Sequence, residues 1–351
     1  MARALAWLLG CTLLVANLPA RAVIVQDLYA AEVPVADQGS QALDSGAQAA
    51  LAEVLTKVSG SAELLRNPSV RTALGKARSH VLQYSFRRSK GAEGGLTGRF
   101  EFDGDYVTSL VKEAGAPLWT ANRPEVLVWL VADEGAGRYF VSPDSAPELA
   151  EELLAAFSRR GVPARLPLYD LADSAALDPD RAWRLAAPDL EAASLRYGVQ
   201  DILAGRLTAS SASNWVGEWA YLAGEEQLNR PLNTPTREAF LQRGAALVAE
   251  EMAARYAVAT GMGDGSGVSL SVVGVNAYSD YAAIVSWLEG LELVEHANLE
   301  RIEGDSVYLH LQTGADAAGL ATVIELNPRL QPLPPAAGEE GGLALAYQWT
   351  N

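Results

Sequence analysis

Cysteine is nearly absent: Cys11 is the only one in 351 residues. A disulfide within the chain is excluded, and thiol catalysis or thiolate metal binding is confined to the extreme amino terminus. Histidine is almost as scarce. His80, His296 and His310 stand alone, so no H-E-x-x-H pair or other local metal signature can be written. Four lysines and the lack of a P-loop spacing leave little with which to handle phosphate, and the lack of a G-x-S-x-G turn removes the common serine hydrolases. Positive charge is short as well. The 27 Lys and Arg face 43 Asp and Glu, a net −16 that repels nucleic-acid backbones and anionic lipid surfaces. The one counter-signal, Arg87, Arg88, Lys90 and Arg99, reads as a solvated loop.

What is present begins with a leader. Arg3 supplies a positive start, an apolar stretch runs from Ala4 to Leu18, and Ala20-Arg21-Ala22 has the small-x-small form of a cleavage site, which predicts a mature chain from Val23. The alternative is a lipoprotein, since Leu8-Leu9-Gly10-Cys11 resembles a lipobox, although the apolar core before it is short. A retained anchor is disfavoured because the stretch is below the roughly 20 residues a spanning helix needs and is broken by Asn17 and Pro19. No other segment is apolar enough to span a bilayer, so the expectation is a periplasmic protein.

From Val23 to Pro117 the pattern predicts strand, helix, helix, strand, helix. Ala47, Leu51, Val54, Leu55 and Val58 repeat at helical spacing and stop at Gly60. Asn67 and Pro68 open a second helix whose stripe is Val70, Leu74, Ala77, Val81 and Tyr84; Phe100 and Phe102 alternate as a strand, and Asp103 precedes a helix through Val107, Leu110 and Val111.

A second unit, 118–258, reads β-α-β-α-β-β-α. It opens on the unbroken apolar run Val126 to Val131, expected to be buried on both faces, and closes on a helix capped by Thr236 with Phe240, Leu247, Val248 and Met252 on one side. Residues 259–267 follow, with glycine at 261, 263, 265 and 267, a composition that predicts a flexible linker and a mobile third unit. That unit, 268–332, reads β-α-β-β-α-β in ferredoxin-like order and carries nine acids against two bases. A Pro/Gly/Ala-rich tail, 333–351, ends on Tyr347 and Trp349. The expected fold class is therefore α+β, three small α/β sandwich-like units in tandem.

Ala50-Leu51-Ala52-Glu53-Val54-Leu55 with Val58-Ser59-Gly60, Gln83-Tyr84-Ser85-Phe86-Arg87, Leu118-Trp119 with Asn122-Arg123-Pro124, Val126 to Leu130, and Arg196-Tyr197-Gly198 together resemble the DUF2066 family of proteobacterial proteins of unknown function. The resemblance covers Val23 to Val258 and implies no reaction. At the level of element order the middle unit resembles the TolB amino-terminal, LpoB and CsgG kind of periplasmic domain, and the first unit resembles the amino-terminal domain of the flagellar protein FlgT. Fold alone does not give function.

Candidate chemistry is thin. Asp170, Asp173, Asp178 and Asp180 form the one carboxylate constellation, but the spacing is not an EF-hand and Asp178-Pro179-Asp180 suits a turn and helix cap. His80 falls on a helix among polar neighbours and His310 on a strand face with Tyr308 and Gln312, both surface positions. Trp215, Trp219 and Tyr221 share one face of a strand; core packing is the favoured reading, and they are kept as the candidate partner-binding residues. No catalytic, cofactor or metal residue is assigned. The composite expectation is a non-enzymatic interaction or scaffold protein of the Gram-negative envelope, partnered by envelope protein and not by nucleic acid. An envelope hydrolase acting on glycan or peptide through carboxylates is the alternative.

Overall fold

A computed structural model describes residues 22–88, 95–135, 137–211, 214–261, 267–334 and 345–350. The leader, Lys90 and residues 262–266 of the linker lie outside these. The described chain is α+β throughout, built from tandem units.

The first unit runs β1 (Ala22–Ile24), β2 (Ala30–Val35), α1 (Ser40–Ser59), α2 (Pro68–Leu74), β3 (Val81–Arg88), β4 (Leu96–Phe102), α3 (Gly104–Glu113) and β5 (Asn122–Pro124). Helix α1 forms where the sequence places it, with Ala47, Leu51, Val54, Leu55 and Val58 fully buried and Gly60 closing it at a φ of 74°. The second helix is shorter than its periodicity suggested. It ends at Leu74, a 3-10 turn spans Ala77–His80, and Val81 and Tyr84 belong to a strand. The residues from Leu82 to Phe86 alternate apolar and polar, and that period of two wins once Gly75 has stopped the helix. The sheet order is β2-β4-β3, with both ladders antiparallel, and β1 pairs separately with β5.

The second unit contains β6 (Val126–Asp133), β7 (Arg138–Phe140), α4 (Pro147–Arg159), β8 (Ala164–Arg165), α5 (Leu171–Ala176), α6 (Pro179–Ala182), α7 (Ala187–Ser194), β9 (Asp201–Ser211), β10 (Asn214–Ala223), β11 (Glu226–Thr234) and α8 (Arg237–Tyr256). Its sheet runs β11-β10-β9-β6-β7, with β8 beside β6. The apolar run of β6 is explained by burial on both faces: Val126, Val128 and Leu130 enter the core under α4 and α8, while Leu127, Trp129 and Val131 enter a second core under α5 to α7. Strand β11 was not legible, because its polar residues and Pro231 suit an edge rather than a buried strand.

The third unit has β12 (Val268–Val273), α9 (Tyr278–Glu289), β13 (Val294–Glu303), β14 (Ser306–Thr313), α10 (Ala317–Ile324), β15 (Leu330–Pro332) and β16 (Leu345–Trp349). The ferredoxin-like order holds up to β15, but the tail supplies a fifth strand. Strand β16 lies between β12 and β15, parallel to β12 and antiparallel to β15, and buries Tyr347 and Trp349. The linker expectation of a mobile third unit meets an opposing arrangement, since the apolar cores of the first and third units are continuous through Leu118 and Val258.

Candidate functional site

On the aromatic strand the packing reading, not the partner surface, fits Trp219 and Tyr221. Trp219 is fully buried, stacks on Phe240 with ring centroids 4.8 Å apart, and donates its indole N–H to the Phe240 carbonyl at 3.1 Å. Two glycines make the space: a Cβ at Gly205 or Gly244 would lie 2.3 or 2.5 Å from its ring. Tyr221 is buried too, its hydroxyl donating to Asp201, which also accepts from Arg255 at 2.6 Å. Trp215 is half-buried against the same core. Helix α8 covers this face, so Trp219 and Tyr221 offer no contact surface to a partner; strand alternation showed that they share a face but not which layer lies over it.

The segment Leu118 to Pro124 is where the three units meet. Leu118 and Val258 exchange backbone hydrogen bonds of 2.8 and 2.9 Å, and the Trp119 N–H donates to the Val58 carbonyl at 2.7 Å. Arg123 is the centre. It is fully buried, lies 3.7 Å from the Trp119 ring centroid, and donates to the carbonyls of Trp119 (2.8 Å), Thr120 (2.7 Å), Lys57 (2.8 Å) and Gly161 (2.7 Å). One side chain thus ties α1, the junction and the end of α4. Glu292 reaches in from the third unit and accepts from the Ala121 N–H at 3.1 Å, with the Tyr29 hydroxyl facing the same carboxylate. Burial pushes the Glu292 carboxyl and the Tyr29 phenol up, and pulls the Arg123 guanidinium down, each favouring the neutral form. The sequence offered Asn122-Arg123-Pro124 only as part of a pattern, and nothing in the polar segment from Thr120 to Glu125 marked Arg123 as buried.

A groove of about 820 Å³ separates β1 and β2 from α4 and the chain leading into β8. Exposed Val23 and Ile24 stand on it, and Glu53 and Lys57 also line it. Lys57 is buried, donating to the Ala30 carbonyl at 2.7 Å and pairing with Glu53 at 3.3 Å. Burial lowers the lysine and raises the carboxyl, which is the signature a catalytic pair would also show. The other acids of the groove are taken: Asp27 pairs with Arg99 at 2.7 Å and Glu32 with Arg87 at 2.5 Å. Arg87 and Arg99 therefore belong to ion pairs of the first sheet.

The acidic segment resolves into caps and braces. Asp170 caps α5 and Asp178 caps α6, as their turn-forming sequence suggests. Arg196 grips Asp170 at 2.6 and 2.9 Å and Asp173 at 3.0 Å, and Tyr197 donates to Asp173 at 2.5 Å while accepting from the Leu168 N–H at 2.9 Å. The Arg196 hydrogen bond holds the Asp170 carboxyl down to about 2. Asp180 pairs with Arg138 at 2.9 Å. Around this lattice stand three exposed leucines, Leu168 (71%), Leu171 (89%) and Leu195 (75%). Beside it a cavity of about 310 Å³ is lined by Glu125, Arg165, Tyr197 and Gln200 among others.

None of the three histidines is buried. His80 sits in the 3-10 turn, stacked on Tyr106 at 3.7 Å, and His310 is half-exposed, 3.8 Å from Glu300. No helix among the described residues is long and apolar enough to cross a membrane.

The profile of a domain of unknown function, DUF8605, matches residues 22–120. That span is the first unit together with the start of the junction. No curated protein matches the chain.

Proposed function

We propose that this chain is an exported, non-enzymatic interaction or scaffold protein of the Gram-negative cell envelope. The observation that carries the reading is the exposed set Leu168, Leu171 and Leu195, three large apolar side chains mounted on a charged and hydrogen-bonded platform. Apolar side chains displayed by a rigid support are what a protein-binding patch requires, because the contact forms without ordering a loop. The leader supports the location, with cleavage before Val23 as the expected processing and acylation of Cys11 as its alternative. Mass spectrometry of the mature amino terminus separates the two.

The test is in-cell crosslinking from a photoreactive residue at Leu171 in the tagged full chain, with a leader-deleted form as control. A reproducible envelope protein captured at Leu171 supports the reading. No capture above the control, with intact protein in the periplasm, overturns it.

The second reading is an envelope hydrolase, favoured by the raised Glu53 carboxyl in the groove. Carboxylate catalysis on glycan needs a second acid at about 5–9 Å, and the Asp27 and Glu32 carboxylates are held in ion pairs. Turnover of a glycan or peptide that Glu53→Gln abolishes would establish it.

A further inference from the structure

The first unit leaves one sheet edge open, and the accounting of its backbone groups shows which kind of partner fits it. Strand β2 is closed to further pairing. The Phe102 N–H donates to the Tyr29 carbonyl at 3.0 Å, so in the antiparallel register Ala31, Val33 and Val35 also bond inward, while Ala30, Glu32 and Pro34 face out. Pro34 has no N–H, the Ala30 N–H is bonded to the Asp27 carbonyl, and the Ala30 carbonyl is taken by Lys57. This is a guarded edge.

Among the described residues strand β3, at the other edge, has no such guard over Tyr84 to Arg88. Its register against β4 sets Gln83, Ser85 and Arg87 opposite Glu101, Arg99 and Thr97, the β4 residues that turn away from β2 and so bond toward β3. The N–H and C=O groups of Tyr84, Phe86 and Arg88 therefore point out of the sheet, and no proline interrupts the eight residues. The side chains alternate as well. Tyr84 and Phe86 share the apolar face, where Tyr84 lies 6.3 Å from the buried Phe100 ring and 5.8 Å from Phe86. Helix α1 lies over β2 and β4, and its cover thins at β3, so Leu82 is 67% and Tyr84 53% exposed.

We propose that β3 pairs with β3 of a second copy of this chain, antiparallel and centred on Ser85, to make one continuous sheet across a two-fold axis. Self-pairing satisfies the pattern in a way few other strands would. A centre on Ser85 sets Tyr84 against Phe86 of the other copy twice, and lies within the evenly paired residues, clear of the irregularity between Val81 and Gln83. It sets Arg87 opposite Gln83 and Arg88 opposite Leu82, so like charges do not meet. The chain carries net −16, which opposes association in general, but the first unit holds 11 acids and 10 bases and is the part least repelled by a copy of itself. One strand pair is a small interface, below the roughly 1,200 Å² of stable complexes, so the dimer is reversible and concentration-dependent.

The register predicts a chemical signature. Ser85 opposes its own copy at a non-hydrogen-bonded position, where Cα atoms lie about 4.5 Å apart, within the range a disulfide spans. In the full chain carrying Cys11→Ser, Ser85→Cys is expected to crosslink under mild oxidation, and Gln83→Cys to crosslink at least tenfold more slowly. Sedimentation of the unmodified chain is expected to show a monomer–dimer equilibrium that Tyr84→Lys shifts to monomer; Leu82→Lys serves where the first variant does not fold. A chain that stays monomeric at the highest attainable concentration overturns the proposal. So does a dimer that both lysine variants leave intact, and crosslinking through position 83 in preference to 85 overturns the register. These readouts use purified protein, so they stand or fall apart from any partner at Leu171.

Discussion

Glu292, in the third unit, accepts a hydrogen bond of 3.1 Å from the backbone N–H of Ala121 in the segment that joins the first two. That bond, with the apolar core that the first and third units share, seats the acidic third unit against the rest of the chain. A glycine-rich connector would otherwise leave the unit free, since a flexible linker sets reach but not orientation.

Replacing Glu292 by Ala leaves the half-buried Ala121 N–H without its acceptor, a cost of about 1 kcal/mol. The variant is expected to be cut in the 259–267 linker several-fold faster than the wild type in limited proteolysis, with the separate units remaining folded. Equal rates of cutting would show that the seat does not depend on Glu292.

The pH dependence of the same contact has a definite sign. Burial raises the Glu292 carboxyl above its usual 4.5, so the folded protein binds that proton more tightly than the unfolded chain. The stability it contributes is full below that usual value and is lost as pH rises through the folded value. Glu292→Gln removes this titration. As pH rises above that usual value the urea midpoint of the variant should fall less than that of the wild type, and parallel curves would refute the assignment.

Arg123→Lys is expected to be strongly destabilising although it keeps the charge. The guanidinium serves four carbonyls and lies 3.7 Å from the Trp119 ring centroid, whereas an ammonium has three donors and no plane to stack. A loss of about 3–5 kcal/mol, the range for breaking a buried charged network, should appear in denaturant unfolding. A loss below about 1 kcal/mol would mean that water replaces the fork at little cost.

Trp219→Ala should act through stability. Removing a fully buried tryptophan costs about 3–5 kcal/mol, and the unfolding midpoint reads it directly. Partner capture at Leu171 should persist at temperatures where the variant remains folded, while Leu171→Asp should reduce capture with little change in the midpoint.

Tyr197→Phe tests the brace beneath the leucines. It removes the donor to the buried Asp173 and the acceptor for the Leu168 N–H, with an expected loss of about 1–3 kcal/mol and faster hydrogen exchange at Leu168 and Tyr169. Unchanged exchange would show that Arg196 holds the segment alone.

Local sequence determined a good deal by itself. The periodicity of α1, the caps at Asn67, Asp103 and Thr236, and the doubly buried run of β6 are properties of near neighbours, set by spacing and by side chains that bond within a few residues. The α+β class followed from them. Only tertiary structure decided which surfaces are open. Trp219 lies inside because α8 covers its strand, β16 enters the third sheet from a distant tail, and Arg123 finds carbonyls on α1 and after α4. Such contacts join residues far apart in the chain, where a period reports which residues share a face but carries no record of what is packed against it.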